Sequence, residues 1–159
     1  MTMRQGLWIA GALVAIMSGT VNAAAPAVTP GYDWAVRINE DRVSDAILAY
    51  EVDGTDDQPL NFTCEEGGDR VFAGISGGAA DLDAIELEAG DQRVRLTGKT
   101  DADELPTFTA QEMPATSPLF KAFTANGWLR MTAGGEVTDM VATPAGKKAI
   151  ARFAEFCAG

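Results

Sequence analysis

The chain has 159 residues, of which 47% are hydrophobic, and 23 acidic residues against 12 basic ones give it a net charge of −11 at pH 7. So acidic a protein is a poor candidate for binding nucleic acid or anionic lipid, because both are negatively charged. Histidine is absent. Its absence excludes Ser-His-Asp and Cys-His catalysis, histidine-based zinc sites and histidine pH switches.

The first 23 residues are typical of a secretory signal peptide. Arg4 supplies a positive charge, Leu7 to Met17 forms an apolar stretch of 11 residues, and small or tolerated residues lead up to Ala23. We expect cleavage after Ala23, with Ala25 as the alternative. The apolar stretch is too short to span a bilayer, and no later stretch reaches about 18 apolar residues. An uncleaved N-terminal anchor is the competing interpretation.

One disulfide-bonded domain is expected after this leader. Removing residues 1–23 leaves 136 residues with 23 acidic and 11 basic side chains, for a net charge of −12. We assign residues 24–31 to a flexible lead-in and residues 32–159 to a single β-rich domain, which is long enough for one core. Export places the protein in the periplasm or outside the cell, where two cysteines usually pair. We therefore predict a disulfide between Cys64 and Cys157.

Alternation of apolar and polar residues predicts four strands in the first half of the domain. They cover Tyr32–Asn39, Ala46–Val52, Leu60–Cys64 and Val71–Ile75. Both faces of the second strand are largely apolar, so we expect it to be central. Cys64 shares one face of the third strand with Leu60 and Phe62.

Ala84–Ala89 and Gln92–Thr97 are predicted to form a hairpin. The intervening Gly90-Asp91 suits a two-residue type II′ turn, which sets the register of the two strands. In that register one face is wholly apolar and the other carries two pairs of opposite charge. The pairs are Glu88 with Arg93 and Glu86 with Arg95.

The second half of the domain is predicted to contain an acidic loop, three strands and two helices. The loop covers Asp101–Pro106, and the strands cover Thr107–Met113, Trp128–Thr132 and Glu136–Val141, the last two forming a hairpin in which Arg130 faces Asp139. Ser117-Pro118 and Thr143-Pro144 are typical of helix starts, and Gly127 is typical of a helix end.

The last helix, Ala145 to Cys157, has an apolar face at helical spacing. Ile150, Phe153 and Cys157 lie on this face, so Cys157 is directed toward the sheet that contains Cys64. In total we predict about eight strands, two short helices and no βαβ pattern. The expected fold class is mainly β: an antiparallel sandwich or barrel with the last helix tied to the sheet by the disulfide.

The arrangement of the chain resembles small exported bacterial proteins of the invasion-associated locus B type and related periplasmic accessory proteins of type VI secretion. The resemblance rests on the early strand with Trp34, the strand cysteine Cys64, the helix opened by Ser117-Pro118, the strand from Trp128 and the helix ending in Phe156-Cys157. It implies a β-sandwich with no catalytic residues to carry over.

The segment Phe62-Thr63-Cys64-Glu65-Glu66-Gly67 is similar to the opening of C-type lysozyme inhibitors. Those are small β-barrels that insert an acidic or serine-bearing loop into lysozyme. Ser76-Gly77-Gly78 lacks the tyrosine that follows in that family, so no inhibitory residue is carried over.

Several groups of residues have features of a functional site, and we interpret them as structural. Asp53, Asp56 and Asp57 suit a hard cation, but their spacing fits no EF-hand loop and acidic turn residues are common. The same holds for the acidic residues of 81–83 and 101–104. Gly74–Gly78 lacks the lysine of a phosphate loop and is predicted to be a turn. Trp34 and Trp128 are expected to pack in the core.

The sequence therefore predicts no catalytic residue, no cofactor and no metal. We expect an exported, non-enzymatic protein that acts at the bacterial envelope by binding a protein partner. Nucleic acid is not an expected partner, and no transmembrane segment is expected once the leader is removed. An inhibitor of a secreted enzyme such as lysozyme is the alternative, because an acidic surface steers encounter with a basic target.

Overall fold

The structure, a computed structural model, describes residues 25–39 and 44–159. The predicted leader and the Ala23 cleavage point lie outside the described residues, so both stay predictions. The strands are β1 (Tyr32–Asn39), β2 (Asp45–Val52), β3 (Leu60–Glu65), β4 (Val71–Ser76), β5 (Ala84–Ala89), β6 (Gln92–Asp101), β7 (Thr107–Ala110), β8 (Trp128–Ala133) and β9 (Glu136–Val141), and the helices are α1 (Pro118–Asn126) and α2 (Pro144–Ala158).

The nine strands form a single antiparallel sheet that curls into a nearly closed barrel. Their order is β1-β2-β3-β4-β7-β6-β5-β8-β9. The two end strands approach each other where the Trp34 Nε1–H donates to the Met140 carbonyl at 3.4 Å. The predicted mainly β fold with two helices is thus confirmed, with nine strands instead of about eight.

The β5–β6 hairpin has the predicted register. Ala89 pairs with Gln92 and Ala84 pairs with Thr97, and the residues between them pair in the same register. Gly90 has a φ of 61°, as the first position of a type II′ turn requires. The Glu–Arg pairs also form, with an oxygen–nitrogen distance of 3.7 Å between Glu86 and Arg95.

Gly98 lets β6 continue past its predicted end at Thr97. A Cβ at this position would collide with the Thr109 carbonyl and the Phe108 ring, so only glycine allows β7 to approach this closely. Residues 92–97 of β6 pair with β5, and residues 98–101 pair with β7. Glycine inside a strand often marks such a corner of a barrel, and here it joins the two halves of the sheet.

Other predicted boundaries differ from the structure as well. The acidic loop begins after Asp101, because Asp101 still pairs with Thr107. The strand from Thr107 ends at Ala110, and Met113 then forms an isolated bridge with Val71. The Gly74–Gly78 turn was placed too early, since Gly74 and Ser76 lie in β4 and only Gly77-Gly78 leaves the sheet.

Both helices have the predicted caps, and α2 extends one residue beyond its predicted bounds of Ala145 and Cys157 at each end. The Ser117 side chain accepts from the Phe120 amide at 3.3 Å, and Gly127 ends α1 in the left-handed region while donating to the Phe123 carbonyl at 2.8 Å. The Thr143 hydroxyl accepts from the first amides of α2. These contacts satisfy backbone groups that have no partner inside a helix.

Aromatic side chains fill the space between the helices and the inner face of β1–β3. The Trp34 ring lies 4.9 Å from Phe123, Phe62 lies 5.4 Å from Phe120, and Phe120 lies 6.0 Å from Phe153, measured between ring centroids. Edge-on and tilted pairs at these separations are favourable. Both tryptophans are buried as predicted, Trp34 within this main core cluster and Trp128 beside Val141, outside the cluster.

The Cys64–Cys157 disulfide is present, with the two Cα atoms 5.8 Å apart. It joins β3 to the last turn of α2. Two backbone hydrogen bonds strengthen the same junction, from the Gly67 amide to the Phe156 carbonyl and from the Asp69 amide to the Cys157 carbonyl, each at 2.9 Å. The predicted staple is therefore confirmed and is part of a wider contact between α2 and the β3–β4 turn.

Candidate binding site at the open end of the barrel

The two ends of the barrel are built differently. At one end, α1 lies under the β5–β6 turn, where Gly90 faces Ala122 and Asn126, and α2 is bonded to the β3–β4 turn. At the opposite end β4 and β8 finish and β3 and β9 begin. A cavity of about 490 Å³ opens there. We call this open end the mouth.

Apolar side chains of the barrel interior form the floor of the mouth. Ile75 of β4, Leu82 of the β4–β5 loop and Met131 of β8 line the cavity, and all three are largely buried. They face the interior because β4 and β8 alternate inward and outward residues. The floor is therefore the uncovered end of the main core.

The rim of the mouth is made of small and polar residues. Gly77, Gly78, Ala79 and Gly134 line its entrance. Three polar side chains, those of Ser76, Thr138 and Glu136, also line the cavity. Glu136 is the only titratable group among the described residues that line it.

The inner face of β9 changes character toward the mouth. Met140, Thr138 and Glu136 lie on this face at alternate positions, paired with Leu129, Met131 and Ala133 of β8. Met140 is fully buried, Thr138 is half-buried and Glu136 is exposed. The strand thus passes from an apolar to a charged inner face over five residues, whereas a strand that only closes a core stays apolar on its inner face.

The loops around the mouth are acidic throughout. They are the β2–β3 loop with Asp53, Asp56 and Asp57, the β4–β5 loop with Asp81 and Asp83, the β6–β7 connection with Asp103 and Glu104, and the β8–β9 turn, and Asp101 and Glu136 stand at the adjoining ends of β6 and β9. None of these nine carboxylates forms an ion pair within the described ranges, and the loops contain no lysine or arginine. The mouth therefore has a strongly negative potential.

Arginines on the strands are matched by carboxylates. Arg130 contacts Asp139 through two hydrogen bonds of 2.6 and 3.0 Å. This contact raises the pKa of the Arg130 guanidinium, although burial works in the opposite direction. In the same way the hydrogen bond to Glu51 raises the pKa of Arg37. These strand cations are neutralised locally and do not offset the charge of the mouth.

Four basic residues lie on the two helices, and one further lysine, Lys99, lies near the end of β6. Lys121 of α1 and Lys147, Lys148 and Arg152 of α2 are exposed, and Glu155 is the one acidic residue of these helices. The three cations of α2 lie away from its buried face, which contains Ile150, Phe153 and Cys157. Charge is thus distributed unequally, with acidic loops at the mouth and a basic helical side.

The acidic residues weighed earlier as metal ligands lie in the mouth loops. Asp57 accepts a hydrogen bond from the Tyr32 hydroxyl, and this bond is the main reason that the pKa of Tyr32 is raised. In the parts of the chain that the structure describes, no three side chains of His, Cys, Asp or Glu are grouped as metal ligands. The loops therefore contribute negative charge to the mouth.

The mouth itself was not predicted from the sequence, although one signal for it was present. Reading Glu136–Val141 by alternate positions places Glu136 and Thr138 on the same face as Met140. A charged residue at an inward-facing position of a strand indicates that this part of the interior is open to solvent. The pairing of strands around the barrel was needed to show that other loops meet it there.

The fold and this site define a small disulfide-bonded β domain with an acidic mouth. Neither described helix, at nine and fifteen residues, has the length and apolarity needed to cross a membrane. Comparison with known protein families, with curated proteins and with solved structures finds no significant match.

Proposed function

We propose that this protein is an exported, non-enzymatic binding protein of the bacterial envelope, and that it works in the periplasm by holding a basic protein partner at its mouth. One observation carries the proposal: a cavity with an apolar floor opens at the end of the barrel whose loops and adjoining strand ends carry nine acidic residues. Concave, largely apolar sites with a few polar groups are the usual form of binding sites.

The disulfide supports export. Disulfides persist in oxidising compartments and are rare where thiols are kept reduced. Both cysteines of the Cys64–Cys157 bond are buried. The sequence before residue 24 has the pattern of a signal peptide. Mass spectrometry of the mature protein tests this step: a chain that begins at Ala24 or Pro26 supports export, and a retained leader contradicts it.

The composition of the mouth supports binding over catalysis. Histidine is absent from the chain, and Glu136 has no second carboxylate facing it among the residues that line the cavity. Paired-carboxylate chemistry needs two such groups on either side of the reacting bond. A negative potential, in contrast, speeds encounter with a positively charged partner and makes that encounter sensitive to salt.

Site-specific photo-crosslinking in the native cell envelope tests the proposal. A photo-reactive residue at Ala79, on the rim of the mouth, is compared with one at Lys148, on the helical side. We expect a discrete protein adduct from position 79 and none from position 148. Glu136→Lys should remove the adduct, whereas Glu155→Lys, which changes net charge equally on the far side, should leave it. Adducts from position 148 alone, or none at all, would overturn the proposal.

Inhibition of a secreted basic enzyme such as lysozyme is a second candidate, and one loop favours it. Leu105 is 62% exposed within the acidic β6–β7 loop. The Gly77 amide donates to the Pro106 carbonyl at 2.8 Å and holds this loop beside the mouth. An apolar tip among carboxylates is suited to insertion into a basic cleft. Inhibition of lysozyme at stoichiometric amounts supports this candidate, and full lysozyme activity in a large excess of the protein removes it.

A further inference from the structure

We infer that the mouth takes a short linear segment in which a bulky apolar side chain stands next to lysine or arginine. This inference rests on the proposed function and names the chemistry of the partner at the point of contact. It follows from the size, the floor, the entrance and the charge of the mouth.

The size of the cavity selects a segment of a few residues. At about 490 Å³, it falls within the range of about 300–1,000 Å³ that holds ligands of a few side chains. A helix about 10 Å across exceeds what such a cavity encloses. The occupant is therefore an extended stretch or the tip of a loop.

The floor selects an apolar side chain. Ile75, Leu82 and Met131 offer no hydrogen-bonding group, so a polar side chain placed against them would lose its contacts with water without compensation. Met131 is unbranched and adjusts to side chains of different shape. The side chains of leucine, isoleucine, methionine and phenylalanine can all pack against this floor.

The entrance lets a peptide backbone approach closely. Gly77, Gly78 and Gly134 present no side chain, and a Cβ added at Gly134 would meet nothing within 4 Å. Close approach of a backbone is a common reason for glycine at a binding site. Ser76 and Thr138 stand beside this entrance and can exchange hydrogen bonds with the amides of the segment.

The charge of the mouth selects the neighbouring residue. Glu136 and Thr138 lie on the inner face of β9, two positions apart, so the carboxylate stands above the floor at the edge of the cavity. A cation adjacent to the apolar anchor reaches Glu136 while the anchor contacts Met131. An acidic segment would instead meet loops that carry carboxylates and no lysine or arginine. Repulsion between like charges disfavours such a partner.

Three blocked pentapeptides test the inference, with the full mature protein and isothermal titration at low salt. Their sequences are Lys-Leu-Lys-Leu-Lys, Lys-Ser-Lys-Ser-Lys and Glu-Leu-Glu-Leu-Glu. We expect the first to bind at least about ten-fold more tightly than either of the others. Glu136→Lys and Ala79→Trp should each weaken its binding by about ten-fold, while the matched variant Glu155→Lys should leave it within about two-fold.

The outcomes separate this inference from the proposed function. Equal binding of the lysine–leucine and lysine–serine peptides would overturn the apolar anchor, and equal binding of the acidic peptide would overturn the role of charge. Absence of binding by all three peptides, together with a photo-crosslinked adduct at position 79, would contradict the binding of a linear segment. The proposal of a basic protein partner would still hold. If Glu136→Lys and Glu155→Lys weaken peptide binding equally, binding depends on the net charge of the protein and not on the mouth. That result would contradict both the inference and the proposed function.

Discussion

The closed and open ends of the barrel are formed by the same strands but differ in the side chains that fill them. At the closed end, interlocked aromatic rings, two capped helices and a disulfide meet, and the residues between them are almost fully buried. At the mouth, the interior ends in aliphatic side chains, glycines and a carboxylate that face solvent. The difference teaches that the helices and the disulfide are concentrated at one end, and we expect most of the stability there and binding at the other end.

The largest expected effect is the loss of an aromatic ring at the closed end. Phe153→Ala removes a fully buried ring that lies against Phe120, and it should lower the free energy of unfolding by about 3–5 kcal/mol. Leu82→Ala at the mouth should cost clearly less, because its neighbours already border a cavity open to solvent. Urea denaturation of both variants measures the difference. Equal losses would show that the two ends are equally important for stability.

Removal of the disulfide is expected to rank second. The double variant Cys64→Ala and Cys157→Ala frees a loop of 93 residues and should lower the free energy of unfolding by about 2–4 kcal/mol. Binding at the mouth should persist below the unfolding transition, because the bond lies at the opposite end. Chemical denaturation and peptide titration of the same sample check both points. Loss of binding in a fully folded sample would contradict the separation of the two ends.

The cap of α2 should contribute less. The Thr143 hydroxyl accepts from the amides of Ala145 and Gly146 and donates to the Asp33 carboxylate. Thr143→Ala therefore removes a helix cap and a link to β1, and it should cost about 1–2 kcal/mol. Thr143→Ser, which keeps the hydroxyl, is the matched control and should retain most of the stability in thermal unfolding. A serine variant as unstable as the alanine variant would assign the effect to the lost methyl group.

The smallest effect is expected at Tyr32, where β1 meets the β2–β3 loop. The hydrogen bond to Asp57, with some help from burial, raises the pKa of Tyr32 above its ordinary value of 10.0. A group whose pKa is raised on folding favours the folded state below its unfolded pKa and loses this contribution as the pH rises through the folded value. The contact should therefore be complete at neutral pH and should break only on the alkaline side of pH 10.0.

Ultraviolet titration measures this pKa in a Tyr50→Phe background, which leaves Tyr32 as the one tyrosine. Asp57→Asn should move the Tyr32 pKa back toward 10.0. Asp56→Asn removes an equal charge from the same loop without touching the hydroxyl and should leave the pKa near its original value. An unchanged pKa in the Asp57 variant would place the cause elsewhere.

The features that were predicted from the sequence are local ones. The Gly90-Asp91 turn, the alternation around it and two charge pairs agree on one register, so the hairpin followed from a few adjacent residues. Ser117-Pro118 and Thr143-Pro144 marked the helix starts for the same reason. The order of strands did not follow, since the pairing of β4 with β7 and of β5 with β8 depends on contacts between distant residues.

The candidate site could not be predicted in the same way. Its parts come from four separate loops and two strand ends, and each of them alone is an ordinary acidic turn. The predicted strand ended at Thr97, one residue before Gly98, and glycine is unfavourable inside a strand. The actual role of Gly98, close contact with Phe108, exists only once β7 lies beside β6.

The position of Gly98 has a consequence for cooperativity. Because one continuous strand pairs with β5 on one side of this residue and with β7 on the other, neither half of the sheet keeps all its neighbours if the other melts. The domain should therefore unfold in a single all-or-none transition, with equal calorimetric and van't Hoff enthalpies. A larger residue at position 98 would push β7 away from β6, and the two halves of the sheet should then unfold at different temperatures.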